Sequence, residues 1–91
     1  MGDRVFGVGP VLISGEVAEA ITEAIRDENE AVLVVDRGAY LRLLVPHRCR
    51  VSRSAIENRL GRPFWLPADL EAVMPSFDGK LKITPDEVEW R

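Results

Sequence analysis

Residues Ser52–Leu66, SRSAIENRLGRPFWL, read as a short helix, a hard stop and an aromatic anchor. Ser52 or Ser54 can cap the helix by accepting a hydrogen bond from a free backbone N–H. Ser54 and Glu57 also have the spacing of a capping box. Ile56 and Leu60 lie four residues apart and so share one face. Gly61 suits the left-handed position just past the last turn, and Pro63 prevents the helix from resuming. Phe64, Trp65 and Leu66 follow at once, so the chain is expected to return to a core here with Trp65 as an anchor. Tryptophan is also favoured at interaction hot spots.

Upstream, Met1–Gly9 carries three glycines and reads as a loose arm. Gly7, Gly9 and Pro10 lack the continuation of a phosphate-binding loop: no GxGxxG, no Walker pattern and no nearby lysine. Pro10–Ser14 (PVLIS) reads as a first strand, suited to a sheet edge because proline has no N–H to donate. A helix follows over Glu16–Glu28, with Val17, Ile21, Ala24 and Ile25 on one face and Glu16, Glu19, Glu23 and Asp27 on the others. Those carboxylates lack the Glu-x-x-His pairs of helical diiron sites, since the only histidine is His47, and they read as a solvated helix surface.

Ala31–Asp36 (AVLVVD) is apolar and β-branched, the pattern of a well-buried strand. Arg37-Gly38 turns it into Ala39–Val45, with Tyr40 packing against the sheet. Arg48–Ser52 alternates, placing Cys49 and Val51 on one side and Arg48 and Arg50 on the other. Cys49 thus reads as a small core residue. As the single cysteine it excludes an internal disulfide and any multi-cysteine metal site. His47, in a turn among arginines, reads as exposed. Beyond the central helix, Pro67–Glu71 gives a short helical turn, and Ala72–Thr84 an irregular strand with a bulge or bend at Asp78-Gly79. Val88–Trp90 closes a final hairpin. The order β-α-β-β-β-α-β-β predicts a single small α+β domain over residues 10–91, with an antiparallel β-sheet and two main helices, preceded by a flexible arm over 1–9.

Composition excludes several classes. The chain of 91 residues is 46% hydrophobic and 30% charged, ordinary for a soluble globular domain. It has no apolar run near the roughly 20 residues that span a bilayer. The first residues lack the apolar segment of a secretory signal, so a cytoplasmic location is expected, without membrane contact. Between Arg37 and Arg62 seven arginines face one glutamate, a local charge of +6 that leaves −9 for the rest. This asymmetry suits either electrostatic steering to a partner or ordinary solvated faces. It does not suit nucleic acid: only Tyr40 supplies an aromatic ring within the arginine-rich window, and the pI is about 5.1. No nucleophile–base pair, metal cluster or phosphate loop is visible, so no catalytic residues, bound metal or cofactor are expected.

The segments VGPVLISGE, VVDRGAYLRL, LGRPFWLPADLE and SFDGKLKI, in this order from about Val8 to Trp90, resemble the effector (coupling or regulatory) proteins of soluble bacterial diiron multicomponent monooxygenases. The likeness is to the toluene and alkene monooxygenase branch, with the phenol hydroxylase and methane monooxygenase regulatory components as more distant relatives. DRGAYLR and LGRPF are its most distinctive parts. The resemblance implies a cofactor-free, non-enzymatic protein, monomeric when free, that binds the diiron hydroxylase and promotes productive oxygen activation and coupling. A Rieske ferredoxin and an NADH reductase would supply the electrons. It also implies three groups of partner-binding residues. Pro75, Ser76, Phe77 and Gly79 match a segment that faces the hydroxylase. Arg37, Tyr40 and Arg42 match a hairpin that either folds the domain or touches the partner. Gly9 and Pro10 match the end of an arm that engages the hydroxylase. Arg62 is a further candidate, able to meet a partner carboxylate or to cap the central helix. Pro75 and Asp78 depart from some relatives within the partner-facing segment. A small-molecule-binding regulatory α+β domain is the alternative, and it requires a formed pocket with convergent polar groups.

Overall fold

The structure, a computed structural model, describes residues 7–91. Its elements are β1 (Gly9–Ile13), α1 (Glu16–Glu28), β2 (Leu33–Asp36), β3 (Tyr40–Leu44), β4 (Cys49–Ser52), α2 (Arg53–Leu60), α3 (Ala68–Glu71), β5 (Ser76–Asp78), β6 (Leu81–Ile83) and β7 (Glu87–Trp90). The α+β class follows the sequence expectation, but the strands divide between two antiparallel sheets. One has the order β2-β3-β1-β5 and the other β4-β7-β6. The irregular strand expected over Ala72–Thr84 is two strands, and the chain passes from one sheet to the other at Gly79. β1 lies inside its sheet, not at the edge, because β5 pairs along its free side with Pro10 opposite Phe77.

Helix α1 buries Ala18, Ala20, Ile21, Ala24 and Ile25, and Glu16 and Glu19 sit in the first turn, where the helix dipole favours them. The buried Thr22 hydroxyl is satisfied by donating to the Ala18 carbonyl at 2.7 Å. The end of α1 is fastened to β4 by side chains. Asn29 donates to the Arg50 carbonyl at 2.7 Å and accepts the Arg50 N–H at 3.1 Å. Glu28 accepts the Ser52 N–H at 2.7 Å. Ser52, in turn, caps α2 by accepting the Ala55 N–H at 3.1 Å. Glu57 closes no capping box with Ser54; its carboxylate accepts the Phe64 N–H at 2.9 Å instead. Gly61 ends α2 at φ 80° with its N–H on the Glu57 carbonyl.

The core joins α1, both sheets and the segment after α2: Leu12, Leu41 and Leu43 from the first sheet, Cys49, Val51, Val88 and Trp90 from the second, with Ile21, Ile25, Ile56, Phe64 and Leu70. Trp90 is fully buried, and its indole N–H has no acceptor among the described residues. Such a group costs about 1–3 kcal/mol, offset by burial of the large ring. The aromatic anchor after α2 is Phe64, 2% exposed, whereas Trp65 is 59% exposed. The Glu57 carboxylate holds the Phe64 backbone at the core, and the next residue is turned outward, where Arg53 lies over its ring 5.3 Å from the centroid.

Phe64→Ala is therefore expected to destabilise the protein by about 3–5 kcal/mol. Trp65→Ala should change stability by no more than about 0.5 kcal/mol. Urea unfolding followed by far-ultraviolet circular dichroism checks both; equal losses would contradict the assignment of Phe64 as the anchor.

Candidate partner-binding surface

The two faces of the β2-β3-β1-β5 sheet differ in what covers them. Leu12 and Leu41 are opposite one another and join α1 in the core. Alternation then directs Val11, Ile13, Tyr40, Arg42, Val35 and Leu33 to the other face. The register puts Ile13 opposite Tyr40 at one end of this face and Arg42 between Val11 and Val35 in its middle, whereas Leu33 is at the far end, opposite Leu44, which shares the face and is buried. Ile13 (46%), Tyr40 (45%) and Leu33 (55%) are exposed. Strand β2 is an edge strand exposed at both ends and not the well-buried one its composition suggests. Tyr40 likewise stands in solvent. Ile13 and Tyr40 thus form an adjacent exposed pair on this face, and Leu33 is exposed separately at its far end.

The expected partner residues fall into five places. Tyr40, Arg42 and Ser76 lie on the uncovered face, Ser76 opposite Val11. Pro75 is exposed just before β5, and Phe77, 39% exposed, projects from the other side of the same edge strand, where β5 runs past the core. Gly9 and Pro10 are buried within β1 and Gly79 forms the turn after β5, so these three shape the surface and do not line it. A Cβ at Gly9 would approach the Leu43 carbonyl oxygen to 2.4 Å, and one at Gly79 would meet Val8 at 2.7 Å. The part of the expected arm that falls within the described residues is tied down, since Val8 and Val45 exchange backbone hydrogen bonds at 2.9 Å; residues 1–6 lie outside the described residues. Arg37 is exposed in the β2–β3 turn, its N–H donating to the Tyr40 carbonyl at 2.8 Å. Arg62 stands apart beyond α2, paired with Glu16 at 3.4 Å.

Ile13, Leu33, Trp65 and Asp78 were not among the sequence candidates. For Ile13 the signal was present: in PVLIS, any face that buries Leu12 must turn Val11 and Ile13 the other way. Nothing in the sequence marks which face is covered.

The arginine-rich window forms no free basic patch. Arg42, Arg48, Arg50, Arg53, Arg59 and Arg62 each reach a carboxylate, on Asp78, Glu89, Glu87, Glu57, Asp27 and Glu16 respectively. The hydrogen bond from Arg59 holds the Asp27 carboxyl below its ordinary pKa, and that from Arg48 does the same for Glu89. Burial pushes the Cys49 thiol up to about 12, which removes it as a nucleophile at neutral pH. Among the described residues no three or more His, Cys, Asp or Glu side chains are placed to hold a metal ion, and no helix is long and apolar enough to cross a membrane.

Comparison with known proteins agrees with this architecture. The MmoB/DmpM family matches residues 7–91. The chain is 40% identical over 85 residues to the effector subunit of an alkene monooxygenase system from Xanthobacter autotrophicus, spanning 91% of this chain and 83% of that protein. A chain in a solved phenol hydroxylase–regulatory protein complex superposes with a TM-score of 0.82 over 92% of this chain and 95% of its own. Its identity of 19% makes this a likeness of fold.

The burial of Cys49 gives a direct check on the structure. Its thiol should resist Ellman's reagent in the native protein at pH 8 and react with one equivalent once guanidinium unfolds the chain. Rapid native labelling would contradict the packed position between the two sheets.

Proposed function

This chain belongs to the MmoB/DmpM family, and on that premise we propose that it is a non-catalytic effector binding the diiron hydroxylase of a multicomponent monooxygenase through the uncovered face of the β2-β3-β1-β5 sheet. The observation that carries the docking site is the adjacent pair of Ile13 and Tyr40, large groups left exposed on a face that no helix covers among the described residues, with Leu33 exposed at the far end of the same face. The interface continues around the edge strand β5 to Pro75, Ser76 and Phe77. Arg37 flanks it on the β2–β3 turn.

Such a protein acts by differential affinity. It shifts the hydroxylase toward an oxygen-activating conformation only as far as it binds that conformation more tightly than the alternatives. In this reading the hydroxylase carries the diiron centre and oxidises the hydrocarbon. A Rieske ferredoxin and an NADH reductase deliver electrons, and the effector, a cytoplasmic monomer without cofactor, raises coupling of NADH oxidation to product. The small-molecule alternative has less support: a cleft of about 390 Å³ beside α1 and α2 is an open groove lined by Glu16, Glu19, Ala20, Glu23, Arg59 and Leu60. It lacks the enclosed apolar walls of a ligand site.

Titration into a matched hydroxylase with its electron-transfer components should raise product formation and product per NADH, saturating near one effector per active site. No stimulation of a hydroxylase that responds to another effector would contradict the proposal. Tyr40→Ala and Ile13→Ala should each raise the half-saturating effector concentration roughly tenfold, the size of a modest interface hot spot. Phe77→Ala should lower product per NADH at saturating effector without loss of fold. Glu19→Gln, on the exposed side of α1, should change neither quantity.

A further inference from the structure

We infer that Arg42 acts as a positioning residue, clasping Asp78 across β1 to fix the edge strand β5 and the exposed ring of Phe77 in the arrangement the hydroxylase reads. The inference rests on the effector reading above, and it assigns Arg42 a role other than direct contact with the partner.

Strand β5 is only three residues long and pairs with β1 alone. Immediately after it the chain leaves for the other sheet at Gly79, whose φ is 99°. So short an edge strand has few ladder bonds to hold it, and its far side is unpaired. Arg42 supplies a second attachment. Its Nε donates to one Asp78 carboxylate oxygen at 3.1 Å and its Nη2 to the other at 3.2 Å, a two-point contact that sets direction as well as distance.

The two residues belong to β3 and β5, which are not neighbours. Arg42 is opposite Val11 and Asp78 opposite Gly9, so the ion pair runs diagonally over β1. The only β1 side chain between them on that face is Val11, because Gly9 has none and a Cβ there would point toward the Leu43 carbonyl and Cys49. Val11 and Val35 flank the arginine stem, and both partners are about one-third exposed. The contact with Asp78 occupies two of the five guanidinium N–H donors and fixes the plane of the group. The pair links the Tyr40–Arg42 hairpin to the Pro75–Phe77 segment, two parts of the proposed docking surface that β1 otherwise separates.

The test compares Arg42→Gln, Asp78→Asn and the double variant. In the free proteins, the amides of Ser76–Asp78 should exchange with deuterium roughly two- to fivefold faster in either single variant, the range for a partly exposed ion pair. The double variant should be no worse than either single one, while the urea midpoint scarcely moves. With hydroxylase, all three should show the same reduced product per NADH at saturating effector. If Arg42→Gln impairs coupling and Asp78→Asn does not, Arg42 touches the partner directly and the clasp is overturned. Unchanged β5 exchange, or faster exchange with wild-type coupling, overturns it as well. Should the wild-type protein fail to stimulate any matched hydroxylase while β5 exchange still responds as expected, the effector reading fails and the clasp survives only as a structural tie.

Discussion

The backbone ladder of Gly9–Ile13 is shared by β3 on one side and β5 on the other, and the first sheet is assembled on it. At its start the approach to β3 is so close that no side chain fits at Gly9 without striking the Leu43 carbonyl. Any larger residue there must push β1 away from β3, and β5 moves with it because it has no other neighbour. Pro10 surrenders one ladder donor in the interior of a sheet, where proline is normally avoided. The buried position of Pro10 and the packing of Leu12 beneath the sheet offset that loss. One strand thus sets both the core-facing layer and the spacing of the outward apolar groups.

Electrostatics has a different part from the one a charge count suggests. Six of the seven arginines between Arg37 and Arg62 face carboxylates drawn from α1, α2, β5 and β7. Most of these pairs are solvent-exposed and screened, the exception being the buried Glu89 that meets Arg48, so together they refine the relative placement of elements that the core already holds. The consequence for recognition is that the sheet face is apolar and nearly neutral. In the proposed complex, affinity would come from desolvating Ile13 and Tyr40 against a complementary surface, with little long-range attraction.

Helix limits and tight turns are legible locally in the sequence, whereas the Ser54–Glu57 capping box and the burial of Trp65 and Tyr40 are not borne out. The apolar spacing of Val17, Ile21, Ala24 and Ile25 yields α1 at its observed limits, and Gly61 with Pro63 ends α2 where expected. The hairpin at Arg37-Gly38 also follows from its turn residues. What was not legible depends on contacts between distant segments. Ser76–Asp78 pairs with Gly9–Val11, and no local pattern reveals that partnership or the division into two sheets. Phe64 and Trp65 are adjacent and equally apolar. Their backbones are held by different side chains, the Phe64 N–H by Glu57 seven residues back and the Trp65 N–H by Asp69 four residues ahead, and only Phe64 is buried. The apolar run of β2 likewise says nothing about which of its faces a helix will cover. The candidate surface was therefore half legible: Tyr40, Arg42, Ser76 and Phe77 entered through a family resemblance, while Ile13, Leu33 and Asp78 emerge only from register and exposure.

The central claim is that a hydroxylase docks on the uncovered sheet face, and cross-saturation nuclear magnetic resonance of a deuterated effector in exchange with an unlabelled matched hydroxylase tests it directly. Saturating the hydroxylase should attenuate the methyl signals of Ile13, Leu33 and Val11 and the Tyr40 amide, leaving the amides of Glu19, Glu23 and Asp27 on α1 intact. Attenuation centred on α1, or on Trp65 beyond α2, with the sheet-face methyls unaffected would contradict the account.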